Sequence, residues 1–117
     1  MRLNDVHYDS GLPVDGYGPG FFRVGGTARP APLAILPGGV RDWAGYDDPG
    51  PLLAAADDID VLLVGTGPDI AHLPAAFRDR LEAAGIGVEA MSSPSAARTY
   101  NVLLGEGRRV GVALLPV

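Results

Sequence analysis

Four consecutive side chains that form hydrogen bonds, Arg98, Thr99, Tyr100 and Asn101, stand beside apolar residues near the end of this 117-residue chain. A guanidinium presents a planar fork of donors that suits carboxylate and phosphate groups, whereas a buried amide or phenol must find partners. Two interpretations stay open. The four residues either form a rim site, where Arg98 holds an anionic group of a ligand or partner, or serve only the fold. In the second case the amide and the phenol attach a neighbouring loop, and Arg98 caps carbonyls or pairs with Glu106.

The segment 92–110 that carries these residues predicts a helix. Ser93 is a candidate cap, Pro94 suits the first helical position, and Gly105 or Gly107 would end the helix. A hairpin is the alternative conformation, with the runs "NVLL" and "RRVGVALL" joined at "GEG".

Helical spacing favours the first of these conformations. Apolar side chains recur at the period of a helix at four positions: Ala96, Tyr100, Leu103 and Leu104. Such a helix would place Asn101 at the border of the core and Arg98 at its rim. A final strand over 109–115 would follow.

A second candidate site is the turn Gly65, Thr66 and Gly67, which directly follows the apolar run 61–64. A continuous apolar run is typical of a strand buried on both faces, and we expect it to be the central strand of an α/β sheet. Ligands bind at the carboxyl ends of such strands. The turn lacks a third glycine and a Gly-Lys-Ser/Thr phosphate loop, so a tight turn that serves only the fold is the alternative.

Other chemistry-bearing residues give weaker signals. Asp57, Asp58 and Asp60 are more typical of solvated turns than of a calcium site, which needs about six or more oxygens. His7 and His72 are far apart in sequence and match no paired ligand motif. We therefore predict no metal and no cofactor.

The serines near the helix start do not predict a nucleophile. Ser92, Ser93 and Ser95 would need a base in reach, and the chain contains no GxSxG elbow. A helix-capping role for Ser93 is favoured instead.

The rest of the chain predicts alternating strands and helices. Residues 1–50 indicate two to four short strands, most firmly Phe21–Val24 and Leu33–Leu36, and Pro51 begins a short helix over 52–56. A longer helix starts near Pro74, ends at Gly85 and carries one apolar stripe: Leu73, Phe77, Leu81 and Ala84. The alternating residues that follow it, Ile86, Val88 and Ala90, predict a strand parallel to 61–64.

Composition excludes several classes of protein. The net charge of −5 disfavours binding to nucleic acid and to anionic membrane surfaces. All nine basic residues are Arg, which we interpret as a compositional habit and not as a functional signal. The absence of Cys excludes disulfides and thiolate metal sites. The first residues lack an apolar signal region and the tail "VGVALLPV" is too short to span a bilayer, so we expect a cytoplasmic protein without membrane insertion.

Residues 1–117 fit a single domain. Its oligomeric state stays open, because Phe21, Phe22 and Trp43 would suit either a core or an interface.

Three runs of sequence resemble a known family. They are "VLLVGTG", "LPAAFRDRLEAAGIGVEAM" and "AARTYNVLLGEGRRVGVALLPV", and they are similar to the small domains that include the mitochondrial complex I assembly factor three and its bacterial relatives. The resemblance covers residues 33–117 well and the first 32 loosely. It implies a three-layer α/β domain with a central mixed sheet and an additional β portion from the N-terminal third.

The resemblance also carries the expectation about function. No enzymatic activity is established for the family as a whole, and its best-described eukaryotic member binds other proteins during assembly of respiratory complex I. We therefore expect a non-enzymatic protein-binding or assembly module whose surface combines Arg98, Tyr100 and Asn101 with the turn 65–67. A small-ligand or enzymatic site for an anion at the same strand ends is the alternative. Relatives often have Met-Asp-Thr where this chain has Met91-Ser92-Ser93.

Overall fold

The computed structural model describes residues 12–117, which form two β-sheets and three helices. The first five elements are β1 (Val14–Gly18), β2 (Phe21–Val24), β3 (Thr27–Pro30), β4 (Leu33–Leu36) and β5 (Gly39–Asp42). They are followed by α1 (Gly50–Leu53), β6 (Val61–Gly65), α2 (Ala75–Ala83), β7 (Gly87–Met91), α3 (Ser93–Gly105) and β8 (Val110–Leu114). β1, β2 and β3 form one sheet, and the other strands form a second in the order β5-β4-β8-β6-β7. The predicted mixed sheet with helices and an additional N-terminal β portion is confirmed.

The five-stranded sheet has an antiparallel half and a parallel half. β4 pairs antiparallel with β5 and with β8, whereas β6 pairs parallel with both β8 and β7. The prediction that 61–64 is the central strand was wrong: β6 is an interior strand, and the centre is β8, which joins the two halves. All five residues of β8 are accordingly buried.

Each face of this sheet carries its own apolar core because side chains alternate along every strand. On one face, Ile35 and Leu63 pack with α3 and with Phe22 of β2. On the other face, Leu36 and Leu62 pack with residues of α1 and α2. The layers are therefore α1 with α2, the five-stranded sheet, and α3 with the three-stranded sheet.

The N-terminal third is richer in strands than its sequence predicts. Five strands lie between residues 14 and 42, where two to four were expected, and the two firmest predictions have the bounds of β2 and β4. Phe22 and Trp43 belong to the core, with exposed fractions of 0% and 2%, while Phe21 is half-buried.

The helix predicted over 52–56 is shorter and starts earlier. α1 begins at Gly50, so Pro51 takes its second position, and regular helix ends at Leu53. The chain then continues in tight turns, since the N–H groups of Ala55 and Ala56 donate to carbonyls three residues earlier.

α2 and its flanking strands form the predicted parallel crossover. Pro74 immediately precedes the helix, and Gly85 follows it with a φ of +87°, a backbone conformation that glycine adopts without strain. Phe77 and Leu81 of the predicted stripe are buried, whereas Ala84 is exposed. The longest helix in residues 12–117 is α3, with 13 residues, and none of the helices there combines the length and hydropathy needed to cross a bilayer.

Candidate binding surface on helix α3

The segment after β7 is a helix, as predicted, and not a hairpin. Its cap is Ser92, whose hydroxyl accepts a hydrogen bond from the N–H of Ser95 at 3.3 Å. The prediction that Ser93 caps the helix was therefore wrong. Ser93 is the first helical residue, Pro94 the second, and the hydroxyl of Ser93 is used elsewhere.

Ser93 connects the start of α3 to the carboxyl ends of two strands. Its fully buried hydroxyl donates to the carbonyl of Leu115 at 2.7 Å and accepts from the N–H of Gly67 at 2.9 Å. Its own N–H donates to the carbonyl of Gly67 at 2.7 Å. We call these three residues the Ser93 junction. It satisfies polar groups at the ends of β6 and β8 that would otherwise be buried without partners.

The turn 65–67 approaches α3 too closely for any side chain at its first position. A Cβ on Gly65 would lie 2.6 Å from the Oγ and 2.7 Å from the Cα of Ser93. The hydroxyl of Thr66 lies 2.7 Å from the carbonyl of Asp69 and accepts from the N–H of Ala71 at 3.1 Å. The Thr66 hydroxyl and the N–H groups of Thr66 and Gly67 are thus engaged within the chain, which agrees with the fold-serving role left open by the sequence.

Tyr100 and Asn101 attach the N-terminal sheet to α3. The Asn101 amide binds both backbone groups of Val14, with its Nδ2 donating to the carbonyl and its Oδ1 accepting from the N–H, each at 2.8 Å. The phenol of Tyr100 donates to the carbonyl of Leu12 at 2.9 Å. We call these four residues the Asn101 junction. The amide thus makes the two hydrogen bonds to Val14 that a neighbouring strand would otherwise make to β1.

Burial determines the protonation of the Tyr100 phenol. The ring is fully buried, and desolvation raises the pKa of the phenol well above its ordinary value. The group therefore stays a neutral hydrogen-bond donor across the physiological pH range.

Arg98 is the predicted site residue that faces solvent. Its guanidinium lies 3.4 Å from the hydroxyl of Ser95, one turn earlier, and Thr99 beside it is half-buried. The ion pairs among residues 12–117 are Arg78–Glu82 and Arg109–Asp60, so the pairing of Arg98 with Glu106 considered from the sequence does not form. The guanidinium stands at the rim of the helix, as its spacing predicts.

A shallow groove runs between α3 and β1 beside this guanidinium. Its volume is about 210 Å³, and it is lined by residues 14–17 of β1 and by Pro94, Ala97, Arg98 and Asn101 of α3. We call it the α3–β1 groove. The turn 65–67 lies at the start of α3 and does not line it, so the two parts of the predicted surface are separate.

Sequence reasoning missed the β1 side of the groove. Tyr17 is 46% exposed, with its ring 5.9 Å from that of Phe22, and Val102 on α3 is 59% exposed. The alternation in "VDGYG", which turns Val14 inward and Asp15 and Tyr17 outward, was the available signal.

The weaker candidates do not form a site in the described part of the chain. Arg109 pairs with Asp60 at 3.4 Å and donates to the carbonyl of Asp57 at 2.8 Å. No group of three or more His, Asp or Glu side chains in residues 12–117 is arranged to hold a metal ion. His72 is exposed, and His7 lies outside the described residues.

The chain is similar in sequence and in structure to known proteins. Residues 14–115 match a family model described as "Protein of unknown function (DUF498/DUF598)". An uncharacterized protein of Rhodobacter capsulatus is 53% identical over 117 residues, which is 100% of this chain and 94% of that protein. Human NADH dehydrogenase (ubiquinone) 1 alpha subcomplex assembly factor 3 is 30% identical over 110 residues, which is 88% of this chain but 60% of the human protein's length. The crystal structure of an outer membrane protein from Bartonella henselae has the same fold, with a TM-score of 0.85, 35% identity and coverage of 95% of this chain and 99% of that one.

Proposed function

The chain belongs to the DUF498/DUF598 family of proteins of unknown function, and from that premise we propose that it is a non-enzymatic protein-binding module with an assembly-factor-like role. Its similarity to a human assembly factor for NADH dehydrogenase supports the role, and its span of 60% of that protein limits the inference to the shared domain. The partner that we propose is a protein of respiratory NADH dehydrogenase assembly, bound in the cytoplasm.

The observation that carries this proposal is the exposed guanidinium of Arg98 at the edge of the α3–β1 groove. Arg and Tyr are enriched at the centres of protein interfaces because both offer contact area together with directional hydrogen bonds. Tyr17 supplies the aromatic group on the opposite wall, and Val102 extends the apolar surface along α3. A partner with a carboxylate beside an apolar side chain fits this combination.

The Asn101 junction supports the same surface from inside. Because the amide holds both backbone groups of Val14, the two walls of the groove keep a fixed separation before any partner arrives. A surface that is ordered in advance loses less conformational entropy on binding. Tyr100 and Asn101 therefore act as positioning residues, and Arg98 makes the contact.

Affinity capture with two arginine variants tests the proposal. Tagged wild-type protein is incubated with extract of the native cell, and the captured proteins are identified by mass spectrometry. We expect subunits or assembly proteins of respiratory NADH dehydrogenase, and we expect Arg98→Ala to lower their recovery about tenfold or more, the effect typical of an interface hot spot. Arg80→Ala is the matched control, because Arg80 is exposed on α2, across the sheet from α3.

A folding control makes the result interpretable. Arg98→Ala should melt within about 3 °C of the wild type, since an exposed surface substitution changes stability by about 0.5 kcal/mol or less. Equal capture by all three forms would overturn the role of Arg98.

The alternative function, a small anionic ligand or substrate at the strand ends near Gly65 and Gly67, has less support. The N–H of Thr66 donates to the carbonyl of Met91 at 2.9 Å, and the N–H of Gly67 donates to Ser93 Oγ. These donors are occupied within the fold. A thermal-shift screen against nucleotides and carboxylates tests the alternative, because a bound ligand raises the melting temperature as its concentration rises.

A further inference from the structure

β7 is an edge strand, and the backbone groups of two of its five residues point away from the sheet. Its ladder with β6 uses the N–H of Gly87, which donates to Asp60, and the carbonyl of Met91, which accepts from Thr66. In a parallel ladder the residues that bond to one neighbour alternate with residues that face the other side. The N–H and C=O groups of Val88 and Ala90 therefore face outward.

Most of these outward groups are open within residues 12–117. The carbonyl of Val88 accepts from the Arg78 guanidinium at 3.3 Å. The N–H of Val88 and both backbone groups of Ala90 have no backbone partner in the described part of the chain. An edge with open donors and acceptors in alternation is complementary to an extended backbone.

A pocket lies beside the same edge on the α2 face of the sheet. Its volume is about 220 Å³, and it is lined by residues 70–73, Arg78 and Ala90. Ile70 is 69% exposed and Leu73 is half-buried, so the loop wall is mainly apolar. The pocket therefore suits an aliphatic side chain of a strand laid against β7.

The positive charge of Arg78 favours an acidic side chain in a segment bound at this edge. Its ion pair with Glu82 is long, at 3.6 Å, and the two side chains are 37% and 49% exposed. A pair of this kind contributes little to stability, so a carboxylate from a partner competes readily for the guanidinium.

We propose that the β7 edge binds an extended peptide segment of a partner protein by strand addition, with an aliphatic side chain of the peptide in the pocket and an acidic one at Arg78. The backbone groups of Val88 and Ala90 supply the affinity common to any extended chain, and the pocket with Arg78 supplies the selectivity. This surface differs from the α3–β1 groove and gives the module a second contact, beyond the assembly-factor-like role.

A second copy of the chain is a poorer occupant than a partner peptide. Val88 packs with the α2 core, so the alternation of the strand directs Glu89 to the opposite face. A β7 strand from a second copy, paired about a two-fold axis, would bring no carboxylate from that strand to Arg78. The charge at this edge is matched by an acidic peptide and not by β7 itself.

A displayed library of linear peptides, selected on the immobilised full-length chain, tests the inference. We expect selected peptides to alternate aliphatic and polar residues, with an acid at one fixed position. Their binding should weaken about tenfold or more in Ala90→Pro, which removes an outward N–H while leaving the ladder to β6 intact. The amide resonances of Val88 and Ala90 should shift when a selected peptide is added to the wild type.

Ala28→Pro is the matched control, because it makes the same change on another edge. Ala28 lies in β3, opposite Arg23 of β2, in a hairpin closed by the pair Val24 and Thr27. Alternation places the N–H of Ala28 outward too. Binding of the selected peptides should be unchanged in this variant.

A charge reversal keeps the test decisive if Ala90→Pro does not fold. Arg78→Glu changes a partly exposed side chain, and selection on this variant should replace the acid in the peptides by a basic residue. An unchanged acid preference would overturn the role assigned to Arg78.

Three outcomes would overturn the inference as a whole. One is peptides that bind Ala90→Pro and the wild type equally, and another is peptides whose binding depends on Arg98. The third is a wild-type dimer that Ala90→Pro converts to monomers, which would make a second copy the occupant. A failure of this inference leaves the Arg98 capture result unaffected, because Arg98 and the pocket beside Ala90 lie on different faces of the five-stranded sheet.

Discussion

Helix α3 carries two polar junctions that fasten different parts of the chain. The Ser93 junction is built around a fully buried serine and connects the helix start to the ends of β6 and β8, which belong to the five-stranded sheet. The Asn101 junction lies at the border of the core and connects the helix to β1, which belongs to the other sheet. Both use neutral polar side chains to bind backbone groups, yet they constrain the fold to different extents.

The difference lies in what packs around each junction. At Ser93, the backbone of Gly65 and that of the helix are in contact, so no atom can be added without moving a strand. At Asn101, the half-buried amide borders an open groove, and its loss would free β1 without disturbing the five-stranded sheet. The first junction therefore governs global stability, and the second governs the order of the binding surface.

The largest expected loss of unfolding free energy is at the Ser93 junction. Gly65→Ala places a Cβ 2.7 Å from the Cα of Ser93, and the backbone must shift to admit it. Overpacking of this kind costs about 3 kcal/mol of unfolding free energy, which urea denaturation measures. Gly105→Ala is the matched control, because the added Cβ meets no atom within 4 Å, and it should leave stability unchanged or slightly higher. Similar stabilities for the two variants would show that the contact at Gly65 is not tight.

A smaller and more local effect is expected at the Asn101 junction. Asn101→Ala leaves the N–H and carbonyl of Val14 without their partner, at a cost of about 2 kcal/mol. Hydrogen exchange should accelerate in β1 and β2 but not in β6 or β8, since only the N-terminal sheet loses its attachment. Val102→Ala, at an exposed neighbouring position, should change neither the free energy of unfolding nor the hydrogen-exchange rates appreciably. Uniform acceleration in both sheets would remove the distinction between the junctions.

The same comparison explains what the sequence predicts and what it does not. Helical spacing is a local property, so it correctly placed Asn101 at the core border and Arg98 at the rim. The partner of Asn101 is Val14, 87 residues earlier, and no local pattern identifies a contact at that distance. The groove was missed because one of its walls belongs to that distant strand.

Long-range contacts also explain why the predicted helix cap and the predicted central strand were wrong. Ser92 and Ser93 both precede Pro94, and local chemistry does not say which one caps. Ser93 is excluded from that role because its hydroxyl is engaged by Gly67 and Leu115. Strand order is likewise non-local: the runs that form β6 and β8 are both apolar, and only the pairing of β8 with β4 makes β8 the central strand.

The smallest expected effect separates the phenol from the amide within the Asn101 junction. Tyr100→Phe removes the hydrogen bond to Leu12 and should cost about 1 kcal/mol at neutral pH. Its clearer signature is at high pH. Burial raises the pKa of the folded-state phenol, whereas an unfolded tyrosine ionises near pH 10, at about its ordinary value.

Above that pH the unfolded chain binds fewer protons than the folded one, so the free energy of unfolding falls as pH rises, by at most about 1.4 kcal/mol per pH unit from this group. Urea denaturation at a series of pH values from neutral to alkaline should therefore give a shallower decline in Tyr100→Phe than in the wild type. Parallel declines would mean that Tyr100 is not held as a neutral donor, and the phenol would then add nothing to the attachment that Asn101 provides.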